Sequence, residues 1–292
     1  MLHRALRIVW CSRTTSSRCM DTGGFCFKPD PLRDKKVEEG SMDENIRSTA
    51  SGGYDRNSRF MLVVESDANN LFYTSMLLQR FDFRICMAAT AEEALAMVPV
   101  AVPSLVITAL DLKGMNGLEL MQQLAGNPAT ASVPVIVLTK QGDLVGDKRC
   151  RDAGAADCLD KPIQAEQIFR AVEAAVETTP RSSIRIRTRL PVTVTNMPFV
   201  DAEGASVSVL SEHGMFLKTL RPAPPDTRLS LQIGLNDRII AIEAVVRSSY
   251  QIGEGPYSEP GMGLQFVRTS PRDQELIRQF ILNEVTRGIT PM

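Results

Sequence analysis

Leu105-Val106-Ile107-Thr108-Ala109, continued by Leu110-Asp111-Leu112-Lys113-Gly114-Met115-Asn116-Gly117, is the stretch on which the reading of the first half of this chain turns. Five mostly apolar residues suit a short strand buried in a parallel sheet. The polar, glycine-bearing run after them suits a loop, with a helix expected to begin near Asn116. The same grammar extends outward in both directions. Upstream, Phe60 to Val64 reads as a strand, and Ala68 to Phe81 as a helix with Leu71, Phe72, Met76, Leu77 and Leu78 at helical spacing. Phe83 to Ala88 is a further strand, followed by a helix opened by Thr90 with Glu93 as its capping-box partner. Downstream, Pro134 to Leu138 and Asp157 to Leu159 supply two more strands, with helices expected near Asp143 and Gln164. Five β-α units in about 118 residues predict an α/β doubly wound parallel sheet of five strands. Ligands of such sheets lie beyond the carboxyl ends of the strands, which draws attention to Glu65 to Asp67, Ala109 to Asp111, Thr139 and Lys161.

A chain of 292 residues has room for two domains, and 43% hydrophobic with 23% charged residues is a globular balance. No apolar stretch is long enough to cross a membrane, which predicts a cytoplasmic protein. Net charge is -1, with 9 basic and 15 acidic residues over 60–178 against 13 and 11 over 179–292. This is not the excess of a DNA binder. Cys11, Cys19, Cys26, Cys86, Cys150 and Cys158 form no C-x-x-C pair, and His3 and His213 are the sole histidines, so no metal site is expected and the thiols read as reduced. Residues 1–58 lack periodicity, make a poor signal peptide and are expected to be a disordered leader. Met42 or Met61 would serve equally as the true start.

Residues 59–177 thus form the first domain, and 178–184, containing Thr178-Thr179-Pro180-Arg181-Ser182-Ser183, a short linker. Over 185–286 the pattern becomes all-β. Pro191 to Thr195, Ala205 to Leu210, Met215 to Thr219, Arg228 to Ile233, Ile239 to Ser248 and Met262 to Phe266 are short extended runs between Gly, Pro and Asp turns. They predict a small antiparallel β-barrel. A terminal helix should follow, N-capped by Ser270 with Pro271 in its first turn, leaving 287–292 as a tail.

The strand-end residues of 60–178 resemble, in order and spacing, those of the bacterial response-regulator receiver domain. In that family an acidic pair after the first strand holds Mg²⁺, an aspartate after the third is phosphorylated, and a Ser/Thr and a Lys after the fourth and fifth contact the phosphoryl group. The resemblance places Glu65, Thr139 and Lys161-Pro162 in those roles. Ser66 stands where the second acid belongs, and Ala109 where the phosphoacceptor belongs, eight residues before Gly117. Alanine has no oxygen to attack phosphorus. Mg²⁺ wants several hard oxygens in an octahedron, and Glu65 with Asp67 one position late is a weakened set. Cys158 replaces the aromatic that moves on activation. Glu65, Ala109, Thr139 and Lys161 therefore read as a vestigial phosphorylation pocket, in which Lys161 pairs with Glu65 or Asp67. Asp111 reads either as a solvated loop acid or as a displaced acceptor.

The second half resembles the PilZ domain, the bacterial receptor module for cyclic di-GMP. The resemblance rests on Arg185-x-x-x-Arg189 before Leu190-Pro191-Val192, on Ser211-Glu212-His213-Gly214 before Met215-Phe216-Leu217, and on Gly261-Met262-Gly263-Leu264-Gln265-Phe266. It implies ligand-binding roles for Arg185, Arg189, Ser211 and Gly214, with the two arginines on a flexible segment. The acid or amide of the turn motif falls on Val209, whose side chain neither donates nor accepts. Guanidinium groups fit phosphate oxygens and the guanine O6/N7 edge. On spacing alone, Arg185, Arg187 and Arg189 read equally well as the solvated face of an edge strand. Two readings follow. One is a non-enzymatic signal-transduction effector or adaptor with a phosphorylation-deficient receiver, no cofactor, cyclic di-GMP as ligand and an unknown protein partner through the receiver-like surface. The other is an interaction scaffold that binds neither phosphate nor nucleotide.

Overall fold

The fold is that of a computed structural model, which describes residues 59–197 and 205–290. The leader proposed for 1–58, with His3, Cys11, Cys19 and Cys26, lies outside the described residues. In the first half, strands β1 (Phe60–Val64), β2 (Arg84–Ala88), β3 (Leu105–Ala109), β4 (Val135–Lys140) and β5 (Asp157–Lys161) alternate with helices α1 (Ala68–Arg80), α2 (Ala91–Met97), α3 (Gly117–Gly126), α4 (Leu144–Asp152) and α5 (Ala165–Val176). The sheet is parallel in the order β2-β1-β3-β4-β5. The expected five-stranded doubly wound sheet is present. All five residues of β3 are buried, as are Met61 to Val64 of β1, because helices cover both faces. Two buried clusters result, one on each face, with Leu77, Ile107 and Ile168 in the first and Leu62, Val106 and Leu120 in the second.

Caps set the helix starts. Asp67 accepts backbone N–H groups of Asn69 and Asn70 at 3.1 and 2.9 Å, so this acid opens α1. Asn116 and Glu119 form a full capping box on α3. At α2 the expected box is half made: Thr90 accepts from Glu93 N, but the Glu93 carboxylate takes the N–H of Ala89 rather than that of Thr90. Gly117 is required by a close approach, since a Cβ there would stand 2.3 Å from the carbonyl oxygen of Ala109.

The second half closes into a six-stranded antiparallel barrel in the order β10-β11-β8-β7-β6-β9. Its strands are β6 (Arg185–Val194), β7 (Ser206–Ser211), β8 (Gly214–Lys218), β9 (Arg228–Leu235), β10 (Arg238–Tyr250) and β11 (Gly261–Arg268), and helix α6 (Pro271–Thr286) follows. Ser270 and Pro271 open α6 as expected. One boundary differs in a way that matters: β6 begins at Arg185, not at Pro191, so both arginines of the R-x-x-x-R motif lie on a strand and not on a preceding flexible segment. The cause is period-two burial, Ile184 and Ile186 inward with Arg185, Arg187 and Arg189 outward. At its arginine end β6 pairs with β7 alone, a register shift falls between Arg187 and Leu190, and pairing with β9 starts at Val192.

The two halves are packed together. Helix α6 touches β6 and β7 of the barrel and also α1 and α5 of the first half. Leu77, Phe81, Phe169, Ile184, Ile277 and Ile281 belong to one continuous buried cluster. The Arg80 guanidinium caps the end of α6, donating to the carbonyls of Val285 and, at 2.7 Å, Arg287. Arg278 pairs with Glu166 at 2.6 Å and Arg187 with Asp82 at 3.4 Å. In the connection, the Arg181 N–H donates to the buried carboxylate of Glu173 at 2.9 Å.

Candidate functional site

Glu65, Ala109, Thr139 and Lys161 converge at the carboxyl ends of β1, β3, β4 and β5, as the topology requires. Their side chains are already engaged. Glu65 is 2% exposed and forms a short ion pair with Lys161, while its other oxygen accepts the N–H of Asp67 at 3.1 Å. Pairing offsets part of the cost of taking the buried carboxylate and the mostly buried ammonium out of water. The peptide bond from Lys161 to Pro162 is cis. Thr139 is buried, and its hydroxyl lies 2.8 Å from Asp147 Oδ1 and 3.0 Å from Asp160 Oδ1, so its single proton has two carboxylate acceptors. Ala109 is fully buried. Asp67 gives one carboxylate oxygen to the α1 cap, and Glu65 is paired with Lys161, so few unengaged acidic oxygens are left for Mg²⁺. This set does not fit a divalent cation. Asp111 sits in the open loop, 2.9 Å from the exposed Lys140, whose pKa it raises by hydrogen bonding and charge. Cys158 lies beside Cys150; burial above all, then that neighbour, pushes its thiol up to about 12, and burial also raises Cys150.

The barrel presents a different arrangement. A cleft of about 410 Å³ is lined by Arg185, Val209, Ser211, His213 and Gly214, among others, so the start of β6 and the β7–β8 turn share one space. Arg185 stands opposite Ser211 in the β6–β7 register. Its side chain is exposed and makes no hydrogen bond or ion pair among the described residues. Ser211 closes its own turn, its hydroxyl donating to the Gly214 carbonyl at 2.9 Å. Gly214 is needed where β8 approaches β11, since a Cβ would meet Leu264 O at 2.4 Å. Val209 is 8% exposed and lines the wall where the family pattern has a polar side chain. Arg189 is exposed but outside the lining of this cleft. Three of the four residues inferred for ligand binding are thus brought together, and the fourth, Arg189, lies further along the strand of Arg185.

Sequence reasoning missed several participants. Asp147 and Asp160, the acceptors for Thr139, come from α4 and β5 and carry no local signature. Arg247 and Tyr250 on β10, Tyr257, and Gln265 on β11 complete the cleft. Gln265 lies inside the glycine-rich motif Gly261 to Phe266, the one sequence signal that pointed to it.

Comparison with known proteins agrees with this division. Residues 61–173 match the response regulator receiver domain and residues 179–283 the PilZ domain, so the chain carries a receiver domain followed by a PilZ domain. Protein PilH of Pseudomonas aeruginosa is 24% identical over 119 residues, covering 40% of this chain and 96% of that protein. A probable chemotaxis protein CheY of Rhizobium etli is 29% identical over 115 residues, 39% of this chain and 89% of that protein. The receiver domain of NtrX from Brucella abortus aligns with a TM-score of 0.39 at 25% identity, over 41% of this chain and 99% of that one. These matches concern the receiver part, and the PilZ part rests on its family model. The two domains are those of a signal-transduction protein, and PilZ domains bind cyclic di-GMP as ligand. No helix among the described residues is long and apolar enough to cross a membrane.

Proposed function

We propose that this receiver–PilZ chain is a non-enzymatic cytoplasmic effector in which cyclic di-GMP binds the barrel cleft and the receiver serves as a phosphorylation-deficient packing and docking domain. The observation that carries the reading is the meeting of Arg185, Ser211 and Gly214 in one open cleft, with Arg185 free of side-chain partners among the described residues. Arg185 and Arg189 supply the charge that grips phosphate, and an arginine fork matches phosphate oxygens in a way a lysine does not. In support of the receiver half of the reading, the methyl group of Ala109 offers no nucleophile, and Glu65 is engaged in an ion pair with Lys161. Ser66 further withholds the second carboxylate. Neither DNA nor a cofactor enters this reading, and the partner that receives the signal is a protein.

Calorimetric titration of the full chain with cyclic di-GMP tests the ligand. The expected outcome is binding that weakens as salt rises and is lost in Arg185→Ala or Arg189→Ala. Absence of heat at about 100 μM ligand, well above a micromolar affinity, would leave the scaffold reading, which is favoured by Leu144 and Val145 on α4, 77% and 71% exposed. For the receiver, acetyl phosphate with Mg²⁺ should form no acyl phosphate on residues 60–178, and Ala109→Asp alone should not restore full activity. An acyl phosphate mapped to Asp111 would overturn that half.

A further inference from the structure

The cleft that holds Arg185 has a second wall, built from β10 and β11, which the turn motif does not include. On it the Arg247 Nε donates to Gln265 Oε1 at 2.7 Å. With its oxygen taken, the Gln265 amide has two N–H donors left, and the rest of the Arg247 fork adds more, one nitrogen lying 3.6 Å from the exposed carboxylate of Asp226. Gln265 is held directly opposite Gly214 on β8 and opposite Val245 on β10, so strand register fixes it beside the turn, while Arg247 projects from the irregularity between Val246 and Ser248 and is tied to it by that hydrogen bond. An aromatic group adjoins it. Phe216 stacks on Tyr250 with centroids 6.2 Å apart and meets Tyr257 edge-on at 4.9 Å. Donors next to aromatic rings suit a flat, acceptor-edged heterocycle. The O6/N7 edge of guanine is such an edge, whereas adenine places an amino donor at position 6.

We propose that Arg247 and Gln265 read the O6/N7 edge of a guanine against the Tyr250 and Tyr257 wall, supplying the base discrimination that Val209 cannot. This rests on the cleft being the nucleotide site. Arg185 then holds phosphate at one end of the cleft, and the Arg247–Gln265 pair selects the base at the other. Both residues are exposed and lie on the barrel's outer surface, so their replacement leaves the buried core intact.

The test titrates the full chain and its variants with cyclic di-GMP and with cyclic di-AMP. Wild type should prefer cyclic di-GMP by about tenfold or more, the value of a bidentate contact to a base edge. Arg247→Ala should lower cyclic di-GMP affinity by about tenfold to a hundredfold and cyclic di-AMP affinity much less, by the lost charge alone, so that the preference collapses. Arg247→Lys keeps the charge without the fork, and should likewise lose the preference while retaining more of the affinity. Gln265→Leu should act in the same direction with a smaller effect. If Arg185→Ala loses binding while Arg247→Ala and Gln265→Leu keep both affinity and preference, the cleft is the site but the base is read elsewhere, and this inference falls alone. If wild type binds neither dinucleotide, it falls together with the effector reading.

Discussion

The receiver pocket and the barrel cleft both keep residues of their family patterns, yet they differ in what those residues are doing. At the carboxyl end of the parallel sheet the motif residues are largely engaged: Lys161 by Glu65, Thr139 by Asp147 and Asp160, one oxygen of Asp67 by the first turn of α1. In the cleft, Arg185 has no side-chain partner among the described residues, and the Arg247–Gln265 pair turns unused donors to solvent. Presence of a motif residue is therefore a weaker sign of activity than its having valences to spare. Low dielectric reinforces the contrast, because a buried charge must be matched within the protein whereas a solvated guanidinium can wait for a ligand.

The sharpest way to break this contrast is Lys161→Ala. If the pocket is a structural ion pair, removing the ammonium strands Glu65 in a site where it is 2% exposed, and stability should fall by about 3 kcal/mol, the low end for breaking a buried pair because Lys161 is itself partly solvated. Glu65→Leu in the same chain should recover most of that loss. Urea denaturation of both variants is the measurement. A neutral Lys161→Ala would mean that the lysine is available for another role and that the pocket is not closed.

Arg80 sharpens the comparison from the side of the interface, since there too a receiver charge is consumed by packing. Its guanidinium caps the carbonyl end of α6, and hydrogen bonds from a charged donor are worth about 1.5–3 kcal/mol. Arg80→Ala should therefore cost about 2 kcal/mol and raise amide exchange over the last turn of α6 first. Uniform exchange rates along α6 in wild type and variant would show that the cap does not hold the helix to the receiver.

Val209→Asp works on the open side. A carboxylate at this position restores an acceptor to the cleft wall and stands opposite Arg187 in the β6–β7 register. One base-edge contact is worth about 1–3 kcal/mol, so cyclic di-GMP affinity should rise by about tenfold or more. Stability without ligand should drop slightly, because the site is only 8% exposed. Unchanged or weaker binding would show that the β7–β8 turn does not face the base.

Most of the architecture was legible because its signals are local. Buried runs such as Leu105 to Ala109, caps such as Ser270 and the turns between six short strands need only neighbours in sequence to be read. The start of β6 was misplaced because Arg-x-Arg-x-Arg contains little apolar signal. Its strand character comes from Ile184 and Ile186 dropping into a core formed by distant elements. The site was legible only where a motif named it. Arg185, Ser211 and Gly214 meet as the resemblance implies, but Arg189 falls outside the cleft lining, and Arg247 enters it from β10, which is distant from all three in sequence. Asp147 and Asp160 were invisible for the same reason: an acid on a helix or a strand gives no sign in sequence that a buried threonine will donate to it.

The smallest effect expected concerns Cys158 and again separates a closed site from an open one. The thiol is pushed from 9.0 up to about 12, chiefly by burial. A group whose proton is held more tightly in the folded state contributes stability that is complete below its unfolded pKa and is lost as pH rises toward the folded one. Stability should thus decline between about pH 9 and 12, and Cys158→Ala should make that decline shallower. Tyr73, also raised by burial, titrates in both proteins and cancels in the difference, whereas Cys150, raised chiefly by burial and in contact with Cys158, does not, so the change in slope reads the thiol pair. Urea midpoints from pH 7.5 to 10 (roughly the accessible range) give the slopes. Alkylation supplies an independent check, because the thiolate is the reactive form: at about pH 8 iodoacetamide should label the exposed Cys86 well before Cys158 or the buried Cys150. Equal slopes, or labelling of Cys158 as fast as Cys86, would show that the region around α4 and β5 is open, and the receiver would then have to be reconsidered as a second accessible site.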